Sequence, residues 1–217
     1  MDWKILFNVG VGAPHSRVQT WYLGTIDLAL GSAGAGTATK EERIFRRLAR
    51  TQKVIVAIGA SSSPRSVGAA VTRNLLEGGF AGDIHLVNRK GGELHGRPVL
   101  KSLADVPGVP DLAVVMTPAE TVPGVLQELG AKGTKAVVII SAGPGAGADG
   151  HDDNERWRSK LLRIAQPHLL RIVGPNCIGY MAPRYGLNAS FGPAKVKPGR
   201  LAEIGRASCR ERVSSPV

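Results

Sequence analysis

Aromatic side chains make up only 5% of the 217 residues, and there are two cysteines. Two cysteines do not build a disulfide framework, so packing must hold the fold, and a reducing, cytoplasmic setting is expected. No apolar run approaches the ~20 residues needed to span a bilayer. Met1 to Val11 lacks the basic start and apolar core of a secretory signal. A helix-turn-helix, zinc-ligand spacing and an aromatic-studded basic strand are all missing. The formal net charge of +11 therefore does not by itself call for nucleic acid. A small polyanion such as a nucleotide satisfies it equally, as does a basic, solvated surface. Neither nucleic acid nor membrane is an expected partner, and no metal site is expected. The two commonest phosphate-binding fingerprints are absent too: the spacing of Gly59 and Gly68 fits neither G-x-G-x-x-G nor the Walker loop.

What is present is globular: 43% hydrophobic, 21% charged, with 28 glycines. The length suits one domain, or one plus part of another. The organising stretch is Lys53 to Leu76. It reads KVIVAIG, ASSSPRSVG, AAVTRNLL: a β-branched apolar run, a turn of small residues, then Val67, Ala70, Val71, Asn74 and Leu75 at helical spacing. That is strand, loop, helix, the opening unit of a doubly wound α/β domain. The loop ends at a helix N-terminus, whose free amides and dipole favour a phosphate. A plain strand-to-helix turn with no ligand satisfies the same residues.

Around this unit the alternation continues. Thr39 with Glu42 forms a capping box that opens a basic helix to about Arg50. Gly78-Gly79 ends the first helix of the α/β unit, and Asp83 to Val87 is the second strand. Further strands are expected at Asp111 to Met116, Lys135 to Ile140 and Leu169 to Val173, with a short crossover and small strand near Gly96 to Leu103. Helices are expected over Ala119 to Leu129, stopped by Gly130, and over Asp153 to Gln166. Gly143 to Gly150 reads as a loop. The pattern predicts a Rossmann-like, doubly wound parallel sheet. Its strand ends at Gly59, Asn88, Thr117, Ser141 and Gly174 share the edge where such folds bind ligands. The second strand ends in Asn88-Arg89-Lys90 rather than in the acidic residue that suits NAD. A basic tip suits a nucleotide with an extra ribose phosphate, either NADP or coenzyme A, although Arg89 and Lys90 could equally serve only to solvate a loop.

Several of these strand ends, in order and spacing, resemble one family. The pieces are VAIGASSSPRSVG (Val56 to Gly68), RNLLEGGF (Arg73 to Phe80), HLVNRKGGELHGRPV (His85 to Val99), IISAG (Ile139 to Gly143), RIVGPNCIG (Arg171 to Gly179) and GLNASF (Gly186 to Phe191). Over about Phe45 to Ala202 the chain is similar to the CoA-binding domain of the NDP-forming acyl-CoA synthetases, which include the succinyl-CoA ligase α subunit. The nearest look is the ADP-forming acetate–CoA ligase type, also found fused to lysine acetyltransferase domains.

The resemblance implies a division of labour. Gly59, Ser61, Ser62, Arg65, Val67 and Gly68 would take the CoA phosphates. Asn88 and Lys90 would hold the ADP end, and Arg89 between them, this chain's own residue, would strengthen the phosphate contact. Thr117, Pro118, Ser141 and Ala142 would line the path of adenine and pantetheine, and Asn176 would lie near the thiol. Cys177 reads as a packed turn residue, since no His or Asp is placed to activate it. The family's chemistry joins acyl phosphate to CoA through a phosphohistidine on a second domain, with ATP or ADP bound by an ATP-grasp partner. None of His15, His85, His95, His151 and His168 falls where that phosphohistidine motif would lie. The chain is thus expected to bind CoA or acyl-CoA without catalysing a reaction alone. The rival readings are an NADP-binding oxidoreductase domain and a CoA- or nucleotide-sensing module without a catalytic parent.

Two departures stand out: Arg89 where the family usually has Pro, and Pro144-Gly145 where it often has Phe and a nearby Glu. The expected organisation is an irregular segment over 1–38, the CoA-binding domain over 39–190, and the start of a second domain over 191–202. Residues 203–217 read as a non-native tail, because Glu203 to Val213 reverse-translates to a run resembling a sequencing-library adapter.

Overall fold

A computed structural model describes residues 53–144 and 151–193. The expectations for residues 1–38, for the helix opening at Thr39 and for the 203–217 tail lie outside these residues.

Lys53 to Ile58 sets the centre of the sheet. β1 (Val54–Ile58) holds Ile55, Val56 and Ala57 with no exposure and Ile58 nearly so. A strand covered on both faces reads as an unbroken apolar run rather than an alternating one, as this one does. It pairs in parallel with β2 (Asp83–Val87) on one side and β5 (Leu112–Val115) on the other. β6 (Ala136–Ile139) and β7 (Arg171–Val173) extend the sheet beyond β5. Beyond β2 lie β4 (Arg97–Leu100), parallel to it, and β3 (Gly92–Leu94), antiparallel to β4. The order is β3-β4-β2-β1-β5-β6-β7. Without the outer β3, the parallel strands follow the doubly wound order, which reverses between β1 and β5.

The small strand near Gly96 is therefore one of two. β3 runs back along the sheet edge, so a strand rather than a helix carries the chain from β2 to β4. Its tight connections use left-handed residues at Gly91, Gly92, His95 and Gly96.

α1 (Val67–Glu77) packs Val71 and Leu75 on one face of the sheet. A two-stranded hairpin, β8 (Gly179–Ala182) and β9 (Leu187–Ser190), covers the rest of that face with Tyr180, Ala182, Leu187 and Ala189. α2 (Val122–Lys132) and α3 (His151–Ala165) cover the opposite face through Leu126, Leu129, Trp157 and Leu161. Among the described residues no helix is long and apolar enough to cross a membrane.

One expectation is corrected. Gly130 does not stop α2. The helix runs on to Lys132 and closes at Gly133 in the left-handed conformation. Gly130 is a packing glycine instead, because the His168 ring occupies the space its Cβ would take. Val67, a candidate contact for the ligand, stands outside the core. It is 43% exposed at the first turn of α1, where Gly68, Val71, Thr72 and Leu75 face inward.

Candidate functional site

The carboxyl ends of the parallel strands are stitched into a row by their own backbone. Gly59 and Ala60 donate to the Val87 carbonyl at 2.9 and 3.3 Å, and Met116 donates to Ile58 at 2.9 Å. Ile140 donates to Val115 at 2.9 Å, and Asn176 to Ser141 at 3.0 Å. The Ser141 hydroxyl adds a bond to the Thr117 carbonyl. Asn88, Gly59, Thr117, Ser141 and Asn176 thus stand in order along one edge, as the alternation of strands and helices implied.

At the centre is the reversal between β1 and β5. Gly59 has φ +96°, and a Cβ there would lie 3.0 Å from the Met116 carbonyl carbon and 3.2 Å from Thr117 Cγ2. Gly68 meets it from the other side: its Cβ would run into the Gly59 carbonyl and lie 3.2 Å from Ser61 Cβ. Two bare backbones therefore let the first turn of α1 sit directly on the tip of β1. Ser66 caps that turn. Its hydroxyl accepts from the Ala69 amide at 3.1 Å, and its carbonyl accepts from Ala70 at 3.2 Å. The Val67 and Gly68 amides are left without a partner among the described residues. Such amides, with the helix dipole behind them, attract anions. Ser61 accepts from the Ser63 amide at 3.1 Å, which shapes the loop, while Ser62 and Arg65 are exposed beside it.

The β2 tip is cationic and organised. Asn88 Nδ2 donates to the Ala60 carbonyl at 2.6 Å, and its Oδ1 accepts from the Lys90 amide at 2.9 Å. The Asn88 side chain is thus engaged with backbone at both ends, and the groups it leaves facing solvent are the exposed Arg89 and Lys90. Lys101, from the tip of β4, lays its stem over Gly91; a Cβ there would be 3.0 Å from Lys101 Cγ. Lys101 is a third cation at this corner that the sequence reading did not single out. Only the strand crossover brings it there.

On the far side of β1, Thr117 is half-buried, Pro118 and Ala142 are exposed, and Ser141 is half-buried. The Thr121 hydroxyl lies 2.8 Å from Thr117 Oγ1 and 2.7 Å from the Pro118 carbonyl, which fixes the turn into α2. Asn176 is exposed, with φ 60°. Cys177 beside it is 3% exposed, and its thiol donates to the Ile139 carbonyl at 3.3 Å. Burial pushes that thiol up from 9.0 to about 11. The thiolate a nucleophile requires is therefore scarce at neutral pH, and Cys177 is a packed turn residue.

A cavity of about 110 Å³ lies elsewhere, between the last turns of α1 and the β8–β9 hairpin, bordered by Asn74, Glu77, Met181 and Asn188. It shares no residue with the tip row. No cluster of three or more His, Cys, Asp or Glu able to hold a metal occurs among the described residues.

A family model described as a CoA binding domain matches residues 53–183. The α subunit of the ADP-forming acetate–CoA ligase I of Pyrococcus furiosus is 42% identical over 159 residues, which is 71% of this chain and 34% of that one. The ADP-forming acetate–CoA ligase of Methanocaldococcus jannaschii is 41% identical over 146 residues, 67% of this chain and 20% of that one. A dinucleotide forming acetyl-coenzyme A synthetase 1 of Ca. Korarchaeum cryptofilum, solved with phosphate and ADP, matches with a TM-score of 0.59 at 35% identity, over 65% of this chain and 29% of that one. The chain spans about a third or less of the length of these relatives.

Proposed function

The chain belongs to the CoA binding domain family, and from that premise we propose that it holds CoA or acyl-CoA along the carboxyl edge of its sheet, as the CoA-binding part of an ADP-forming acid–CoA ligase. The observation that carries this reading is the closure of Gly68 on Gly59. It seats the first turn of α1, with its two free amides, on the tip of β1, one strand away from Arg89 and Lys90. In this reading the pyrophosphate sits against the first turn of α1, between Gly59, Ser61, Ser62, Arg65, Val67 and Gly68. The ribose 3′-phosphate meets Arg89 and Lys90, in a loop that Asn88 shapes. The remainder of the ligand runs past Thr117, Pro118, Ser141 and Ala142 toward Asn176. Backbone amides and exposed cations give this site an anion preference.

The domain would extend over 39–190, with 191–202 opening a second domain and 203–217 foreign to the fold. Acyl-phosphate chemistry and ATP or ADP binding would belong to a phosphohistidine domain and an ATP-grasp partner, in the same chain or as another subunit. A cytoplasmic setting accords with the free, buried Cys177.

Calorimetric titration with CoA, NADPH and duplex DNA tests the reading. Saturable uptake of CoA alone is the expected result. Uptake of NADPH but not CoA would replace it with an NADP-binding oxidoreductase domain, which Arg89 and Lys90 would serve equally well through a 2′-phosphate.

A further inference from the structure

α3 contributes nothing to the tip row, yet one of its side chains touches two of the loops that form it. Trp157 is 8% exposed, and its indole Nε1 donates to the Ala119 carbonyl at 3.2 Å, in the turn that follows Thr117-Pro118. The same ring backs the neighbouring tip. A Cβ on Gly143 would lie 3.1 Å from Trp157 Cε3 and would overlap the Asn154 side chain, one turn earlier on α3. Gly143 directly follows Ser141-Ala142. The β5 and β6 tips are therefore joined twice: in front by the Ser141 hydroxyl on the Thr117 carbonyl, and behind by one indole that bonds one loop and packs on the other.

We propose that Trp157 is a positioning residue that fixes the gap between the Thr117-Pro118 and Ser141-Ala142 tips, and through that gap the affinity for the pantetheine half of CoA. This rests on the CoA-binding reading above. The indole is large and rigid, and its one N–H has a fixed partner, so it holds two loops in one relative position. The absence of a side chain at Gly143 lets the ring come that close. The α1 turn sits on the tip of β1 and the Arg89-Lys90 corner at the next strand, β2; in the reading above these hold the phosphates, so adenosine 3′,5′-bisphosphate meets the gap only through its adenine and should respond less than CoA.

The experiment titrates the full chain with CoA and with adenosine 3′,5′-bisphosphate, which lacks the pantetheine arm. Trp157→Phe removes the N–H and keeps a ring. Gly143→Ala wedges the same contact from the other side and keeps the indole. Each is expected to weaken CoA about three- to tenfold, the scale of one lost neutral hydrogen bond, and to leave adenosine 3′,5′-bisphosphate within about twofold. Equal losses for both ligands would mean that Trp157 supports the fold only, and unchanged CoA affinity in both variants would also overturn the proposal. If the unaltered protein takes up neither ligand, the CoA-binding reading itself falls, and this inference with it.

Discussion

Asn88 reaches back from the tip of β2 to the carbonyl of Ala60, 2.6 Å away, and so ties the loop before α1 to the cationic turn beside it. The same amide accepts from the Lys90 backbone. One side chain therefore sets the distance between the two groups proposed to hold opposite ends of a nucleotide.

Removing that tie should loosen both loops. Asn88→Ala is expected to cost about 1–2 kcal/mol in urea unfolding, because the Ala60 carbonyl loses its partner, and to weaken CoA about tenfold. Asn88→Asp should do worse, since a carboxylate turns an acceptor toward a carbonyl and adds negative charge beside phosphates. Unaltered CoA affinity in Asn88→Ala, measured by calorimetry, would disprove the link.

Two glycines separate packing from mere helix weakness. At Gly68 a methyl meets the backbone of Gly59. Gly68→Ala is thus expected to destabilise by roughly 1–3 kcal/mol through overpacking and to abolish measurable CoA uptake. At Gly124, in α2, a methyl meets nothing within 4 Å. Gly124→Ala should stabilise by about 0.5–1 kcal/mol and leave CoA binding alone. Equal behaviour of the two in thermal melts and titrations would remove the close-approach argument.

The cationic corner predicts discrimination between CoA and its dephospho form, which lacks the 3′-phosphate. The Arg89→Ala, Lys90→Ala double variant should bring the two affinities to within about twofold by weakening CoA alone. Because these side chains are exposed, the preference of the unaltered protein should shrink as salt is raised. Competition titrations at two ionic strengths check both points, and a preference that survives the double variant would exclude these residues as the 3′-phosphate contact.

Cys177 predicts an alkaline weakness. Its thiol ionises near 9.0 in the unfolded chain and at about 11 in the fold. The protonated form is favoured by folding, so the full contribution is present below pH 9 and declines as pH rises to about 11. For a shift of this size the loss is roughly 2–3 kcal/mol. The buried Tyr180 phenol, also pushed up by burial, adds the same sign at still higher pH. Urea midpoints between pH 8 and 11 should fall, and Cys177→Ala should flatten the first part of that fall. An unchanged slope in Cys177→Ala would refute the assignment.

Much of the architecture could be read in the chain because its signals are local. Lys53 to Leu76 announces strand, turn and helix through β-branched residues, small residues and helical spacing, and Asp83 to Val87 falls where expected. That the strand tips share one edge followed from alternation alone; their order came from the structure. What escaped depends on contacts distant in sequence. Gly130 looks like a helix stop until His168 is seen against it. Lys101 joins the cationic corner only because β3 replaces a crossover helix. Asn88 is legible as a strand tip but its bonds to Ala60 and Lys90 are not, and Trp157 stands unmarked within the helix expected over Asp153 to Gln166. In each case the residue type permits two roles, and only a partner some 10 to 40 positions away decides between them.

Among the described residues the outer strands of the sheet, β3 and β7, are only three residues each. β3 carries Glu93 and two left-handed glycine-bordered bends, and β7 opens with Arg171. Unpaired strand edges invite pairing with another molecule, and short, charged ones resist it. A sheet whose central strands are wholly apolar is thus guarded at its margins against polymerising edge to edge.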